Sequence, residues 1–454
     1  MSSSTAGSGL KCIIHFAQFH LDFRMPEFEA VTSMYGVKYE IDEPLTPERP
    51  FAILHFTGEN PRDDVARVCS RCVLIYEVYE FVAVGDSIQD VADQCRPRAE
   101  EITRMFLPET STWAFDLLTF GRKMTLFDKR DSFEKLSFLA PKFGTVDLKH
   151  GEKMFMTIYH YGENSKLTAP ARVYLGMLLH TAQRQLPYKY TLKKRPFLGP
   201  TSMDAELALI MGNMGRARPG SFTLDPFVGT GSILVAATHW GSTCVGTDLD
   251  IKIIGAYTRH GVRREKNILT NFDFYHLPRP SIGWADMKVN IWSGKFDSII
   301  CDPPYGLRAF VKTVDSGAAK PKGETPSMPR NKSTSIANQM VSLLAFAASH
   351  LTVGGRIVFW LPVIVEFYTE ADLPTHPALR LVSNCFQELT EVYGRRLITM
   401  EKVREATEGD EAAVMAGKSY DNFGKVVRHI PVEPTHEGER GRVDAGMVEW
   451  LPSL

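Results

Sequence analysis

The sequence predicts an α/β protein in two parts: a Rossmann-like, doubly wound half carried behind an amino-terminal α+β half. Three observations lead there. From Ser221 onward short apolar runs alternate with helical stretches, the texture of a parallel sheet with crossover helices. One such run ends in Asp225-Pro226-Phe227-Val228-Gly229-Thr230-Gly231, an acid followed by a glycine loop. Another, Phe296 to Cys301, ends in Asp302-Pro303-Pro304-Tyr305, where two prolines stop the strand and stiffen the loop after it. In open α/β sheets ligands sit outside the carboxyl ends of the strands, so both loops point to one crevice.

Composition narrows the class. A chain of 454 residues has room for two or three domains. A net charge of −1 excludes a uniformly basic nucleic-acid binder, so any RNA contact must come from local patches. Seven cysteines, odd in number and scattered, suit reduced intracellular thiols better than a disulfide framework. The start has no basic stretch leading into an apolar core. The longest apolar run, Ile357 to Val365, contains Pro362 and falls well short of the ~20 residues of a transmembrane helix. The expectation is a soluble chain of the cytoplasm or nucleus, with the cytoplasm preferred and no membrane partner.

In order along the chain, residues 1–10 are small and polar and read as a disordered tail. Residues 11–160 form the α+β domain. Strands are expected at Ile13–Ala17, Ala52–Phe56 and Val73–Tyr79, helices from Pro26 and over Ile88–Cys95, and the last strands within Thr145–Tyr159. Cys69 and Cys72 form a lone Cys-x-x-Cys with no second pair at ligand spacing, so they read as half-buried thiols and no metal site is expected. Arg122-Lys123 and Lys129-Arg130 interleave with Phe120 and Phe127, and Lys142 precedes Phe143. Such a pattern can grip a phosphate backbone, which makes Arg122 and Lys123 candidate RNA contacts; a solvated face explains them equally well.

Residues 161–220 are expected to be a helical and basic linker, with a helix around Arg172–Gln185. Residues 184–195 carry five basic residues and no acid; Lys193 and Arg195 join the candidate RNA contacts. Thr201 or Ser202 would cap a helix running to about Met214. Residues 221–405 hold the doubly wound sheet. Strands are expected at Phe222–Leu224, Thr243–Thr247, Phe272–Phe274, Phe296–Cys301 and Arg356–Leu361, and at a far-edge pair, Leu381–Phe386 with Leu397–Val403. Residues 406–454 read as an acidic, partly mobile tail.

The glycine loop defines its ligand by what it lacks. Gly229 and Gly231 allow close approach of backbone, but Leu234 stands after them where a dinucleotide fingerprint wants a third glycine, and no Walker lysine follows. A pyrophosphate, and with it a dehydrogenase, is a poor fit. An acid just before the glycines suits a cation such as the ammonium of a methionine moiety. Asp248, 23 residues after Asp225 and at the next strand end, suits ribose hydroxyls, with Asp250 as the backup. Asp286 follows the third strand, where an adenine amine would lie. S-adenosylmethionine offers this set without phosphate. Asp225, Phe227, Gly229, Thr230, Gly231, Asp248 and Asp286 are therefore the candidate cofactor residues.

Asp302-Pro303-Pro304-Tyr305 supplies the reaction. An exocyclic amine on a base is a poor nucleophile because its lone pair is conjugated with the ring. Hydrogen bonds from it to the Asp302 carboxylate and the Pro303 carbonyl favour rehybridisation and aim the lone pair. Pro304 stiffens the loop, and Tyr305 can stack on a flipped base. Cys301 reads as core, since pyrimidine C5 methylation wants a cysteine after a proline. This chemistry is amine methylation of a planar base; adenine N6 and guanine N2 both fit it. Arg308 opens a basic stretch, 307–332, and is the last candidate RNA contact. A catalytically idle RNA-binding subunit is the alternative, and the intact Asp225, Asp248 and Asp302 argue against it.

Four segments carry a family resemblance: Leu192-Lys193-Lys194-Arg195 through Gly199-Pro200-Thr201-Ser202-Met203-Asp204, then Asp225 to Ser232, Gly246 to Asp250, and Cys301 to Gly306. Together they resemble the eukaryotic catalytic subunit of tRNA (guanine-10-N2)-methyltransferase. The resemblance implies a class I methyltransferase domain behind a THUMP tRNA-binding domain with a ferredoxin-like part. It implies methylation of N2 of guanine-10 in tRNA, and a small zinc-binding activator subunit as partner. Asp302 stands where the broader amino-methyltransferase pattern has Asn.

Overall fold

The structure, a computed structural model, describes residues 9–106, 112–140, 145–148, 151–162, 169–199, 202–250, 254, 265–289, 292–304 and 336–413. The chain forms two compact units. Among the described residues these are 9–21 with 35–183, and 22–34 with 184–413.

The first unit is built on eight strands in the order β2-β3-β1-β4-β8-β7-β5-β6. They are β1 (Leu10–Phe16), β2 (Tyr39–Glu43), β3 (Phe51–Phe56), β4 (Ile75–Gly85), β5 (Thr112–Phe120), β6 (Thr145–Val146), β7 (Lys153–His160) and β8 (Arg172–Thr181). Between β1 and β2 the chain makes α1 (Arg24–Tyr35), which falls almost wholly in the second unit. Helices α2 (Pro61–Cys69), α3 (Ile88–Cys95), α4 (Ala99–Phe106) and α5 (Leu126–Leu136) complete the first unit. Every β1 residue but Lys11 is buried, because β3 and β4 flank it on both sides. Cys69 and Cys72 are fully buried rather than half-buried.

The helix expected around Arg172–Gln185 is instead β8, paired antiparallel with β4 and β7. A short continuous apolar run reads equally as buried strand or buried helix, and pairing decides. Val173, Tyr174 and Leu175 are buried between the two neighbours. Gly176 brings its backbone against β4, where a Cβ would lie 2.8 Å from the Tyr79 Cβ. A boundary near residue 160 would cut β8 from its sheet; the first unit runs to Gln183.

The second unit has seven strands in the order β11-β10-β9-β12-β13-β15-β14. They are β9 (Phe222–Asp225), β10 (Thr243–Asp248), β11 (Ser281–Trp284), β12 (Phe296–Cys301), β13 (Leu351–Ile364), β14 (Leu379–Glu388) and β15 (Tyr393–Lys402). Strands β9 to β13 pair in parallel, and β15 runs antiparallel to both β13 and β14. The helices are α6 (Leu186–Lys189), α7 (Ala205–Met214), α8 (Ser232–His239), α9 (Ile268–Phe274) and α10 (Ile336–His350). Ile299, Cys301, Ile357, Phe359 and Ile398 of the sheet share one core with Leu343 and Leu344 of α10.

Two local expectations change here. Asp204, not Thr201 or Ser202, caps α7, accepting from Glu206 and Leu207 N–H. Phe272–Phe274 closes α9 instead of forming the third strand, because Asn267 and Thr270 make a reciprocal capping box that starts a helix. The third strand is β11. Strand order reverses between β9 and β12, the switch point at whose carboxyl ends such sheets bind ligands. Among the described residues no helix is long and apolar enough to cross a membrane.

Candidate active site

The carboxyl ends of β9, β10, β11 and β12 bring Asp225, Asp248, Asp286 and Asp302 to one edge of the second sheet. Asp225 is the floor: 1% exposed, it accepts the Phe227 N–H at 3.0 Å. Burial pushes its carboxyl well above the usual range, with Asp248 and Asp302 adding to this and the Phe227 N–H opposing it. Gly229 (φ 49°) and Gly231 (φ 82°) are left-handed, which a glycine adopts without steric cost. A Cβ on Gly231 would also lie 2.8 Å from Ile268 of α9.

Asp248 ties this loop to β10. Its Oδ2 accepts the Gly229 N–H at 3.0 Å and its Oδ1 the Asp250 N–H at 2.8 Å. Burial raises its carboxyl as well. A carboxylate offers about four lone-pair sites, so these bonds leave acceptor capacity for a diol. Asp286, directly after β11, is buried and accepts the Lys288 N–H at 2.9 Å. Phe227 packs against the core. Thr230 is buried, its hydroxyl 2.8 Å from that of Ser202. A set of buried and partly buried carboxylate acceptors around left-handed glycines fits a ligand with amine, ammonium and hydroxyl groups, as expected for S-adenosylmethionine.

Asp302 follows β12, with Pro303 buried and Pro304 partly so. Burial lifts its carboxyl to about 6, against the pull of Arg395. Tyr305 and Arg308, like Lys142, lie outside the described residues.

Two residues in this site have no signal in the sequence. Arg395 of β15 places Nη1 at 3.6 Å from Asp302 Oδ2. Asn271 of α9, fully buried, donates to the carbonyls of Phe197 and Thr230 and accepts the Phe197 N–H. It thereby clamps the segment after Arg195 to the glycine loop. Neither belongs to a motif, and both work on partners far away in the chain.

Of the candidate RNA contacts, Lys193 and Lys123 are exposed, and Arg122 lies over the Tyr161 ring at 5.7 Å. Arg195 requires correction. It is 5% exposed and donates to Ser232 Oγ at 2.5 Å and to the Tyr190 carbonyl at 3.1 Å. Its guanidinium braces the start of α8 and does not face solvent. Arg195→Ala is expected to destabilise the chain by about 1.5–3 kcal/mol, the usual worth of hydrogen bonds to a charged group. Thermal melting reads this; an unchanged melting temperature with weakened RNA binding would return Arg195 to the RNA.

Comparison with known proteins agrees with both units. Residues 10–184 match the family model described as Tmrp11 THUMP N-terminal domain, and residues 193–276 the RMKL-like, methyltransferase domain. The tRNA (guanine(10)-N(2))-methyltransferase TRMT11 of Homo sapiens is 35% identical over 419 residues, spanning 88% of this chain and 89% of its own length. That of Dictyostelium discoideum is 33% identical over 429 residues, spanning 87% and 82%. Among solved structures, TrmN from Thermus thermophilus matches at 18% identity and a TM-score of 0.40, over 87% of this chain and 100% of that one. With an α+β THUMP half, a methyltransferase half and relatives this similar over nearly their whole length, the chain belongs to the tRNA (guanine(10)-N(2))-methyltransferase TRMT11 family.

Proposed function

We propose that this chain transfers a methyl group from S-adenosylmethionine to N2 of guanine-10 in tRNA. The observation that carries the reading is the placement of Asp302-Pro303 at the switch point, beside the loop ends bearing Asp225, Asp248 and Asp286. Family membership supplies the base and its position in the tRNA. In this reading S-adenosylmethionine supplies an electrophilic methyl group. Asp248 holds the ribose hydroxyls, Asp286 the adenine amine, and the loop over Asp225 the ammonium end. Asp302 and the Pro303 carbonyl accept the two N–H bonds of the guanine amine, turning its lone pair out of conjugation. Tyr305 stacks on the base. Arg122, Lys123, Lys193 and Arg308 hold RNA phosphates. The partner is the small zinc-binding activator subunit implied by the family resemblance. The proposed compartment is the cytoplasm.

The test is a tRNA transcript incubated with the full chain, the activator subunit and labelled S-adenosylmethionine. N2-methylguanosine is expected at position 10, and a transcript with adenine there should stay unlabelled. Equal labelling of both would overturn the assignment. The same assay carries a pH prediction. An acceptor carboxylate must be ionised, so the rate should fall as pH drops through about 6, where Asp302 takes up its proton. A rate flat from pH 7.5 to about 5 would remove Asp302 as the acceptor.

A further inference from the structure

Arg395 is held by more than its charge. The order β12-β13-β15 places its backbone two strands from β12, about 10 Å away at the usual strand spacing. The side chain crosses β13 to reach the end of β12. It lies on the ring of Trp360, which β13 presents between the two, with the guanidinium carbon 4.0 Å from the ring centroid. Trp360 is itself fully buried and donates to Met211 Sδ. Arg395 Nε donates to Gln387 Oε1 at 2.7 Å, and Nη2 lies 3.7 Å from Met203 Sδ. Ring, amide and thioether thus fix the fork, leaving Nη1 toward Asp302.

The 3.6 Å separation from Asp302 is an ion pair and too long for a hydrogen bond. It gives the carboxylate a counter-charge from Arg395 without a hydrogen bond from Nη1. Nearby, Asp225 from β9 interacts electrostatically with Asp302, and Asp204 acts on Arg395 itself. The side chains of Arg395 and Asp302 are 15% and 24% exposed, so screening by solvent is weak.

We propose that Arg395, laid over Trp360, is a positioning residue for the reaction: it keeps Asp302 ionised and aimed so that the carboxylate accepts the hydrogen of the substrate amine. This rests on the amine-methylation reading of the site. A lysine is a poor substitute, since an ammonium does not stack flat on the indole and bind Gln387 together.

The experiment compares R395Q and R395K with the unsubstituted chain, each with the activator subunit, by single-turnover methyl transfer from pH 5 to 8. In R395Q the midpoint of the acid limb should move up by about one pH unit, because the carboxylate loses its counter-charge. R395K should recover part of that shift. A uniformly lower rate with an unmoved limb would make Arg395 merely structural and overturn the proposal. Carbon-13 NMR of the Asp302 carboxyl, assigned by its loss in D302N, reads the same pairing in the chain without substrate. Its titration should rise in R395Q, and an unmoved titration also overturns the proposal. An unsubstituted chain that shows the pairing yet transfers no methyl would instead sink the amine-methylation reading. If R395Q does not fold, Q387A releases Nε and should move the limb in the same direction; an unmoved limb there counts equally against Arg395.

Discussion

Asp302→Ala is expected to lower methyl transfer by about 10³-fold, the usual cost of deleting a positioned acceptor at a reacting centre. Cofactor affinity is expected to stay within about threefold, because in the proposed reading ribose and adenine are held by other strand ends. Single-turnover rates at saturating cofactor, with calorimetry for binding, separate the two effects. Unchanged turnover would remove Asp302 from the chemistry. Asp302→Asn is the informative neighbour. It keeps an acceptor oxygen in the same place but has no proton to gain near pH 6, so its smaller loss should come with a flattened acid limb.

Asp248→Ala is expected to raise the dissociation constant of S-adenosylmethionine by about 10–100-fold, since hydrogen bonds to a charged group contribute about 1.5–3 kcal/mol. Part of that loss belongs to the protein, because Asp248 also holds the Gly229 N–H and with it the glycine loop. An analogue lacking the ribose hydroxyls divides the effect. It should bind the unsubstituted chain weakly and gain no further penalty in the variant. Equal affinity of S-adenosylmethionine for both proteins, read by calorimetry, would take Asp248 off the ribose.

Much of the site is visible in the chain as written, for a physical reason. Asp225 with its glycines, Asp248 at a strand end and Asp302 before two prolines are contiguous signals, each setting its own local backbone. The strand and helix alternation that places them at one sheet edge is also local, and so the doubly wound half reads correctly nearly element by element. The departures have a different origin. Arg172–Thr181 and Phe272–Phe274 are short apolar stretches whose state depends on what pairs or caps them. Arg195 reads as a basic surface residue until Ser232 and Tyr190 enclose it.

The amino acids in order therefore determine the fold class of the second half, the three acids at its strand ends and the Asp302-Pro303-Pro304-Tyr305 motif on which the proposed amine methylation rests. Tertiary packing decides which charges are buried and which groups tune them. Asp302 and Arg395 are 93 residues apart, joined only because β13 carries Trp360 between their strands. A charge acts through space across about 4 Å regardless of chain separation. That pairing is written in the sheet order and in no motif.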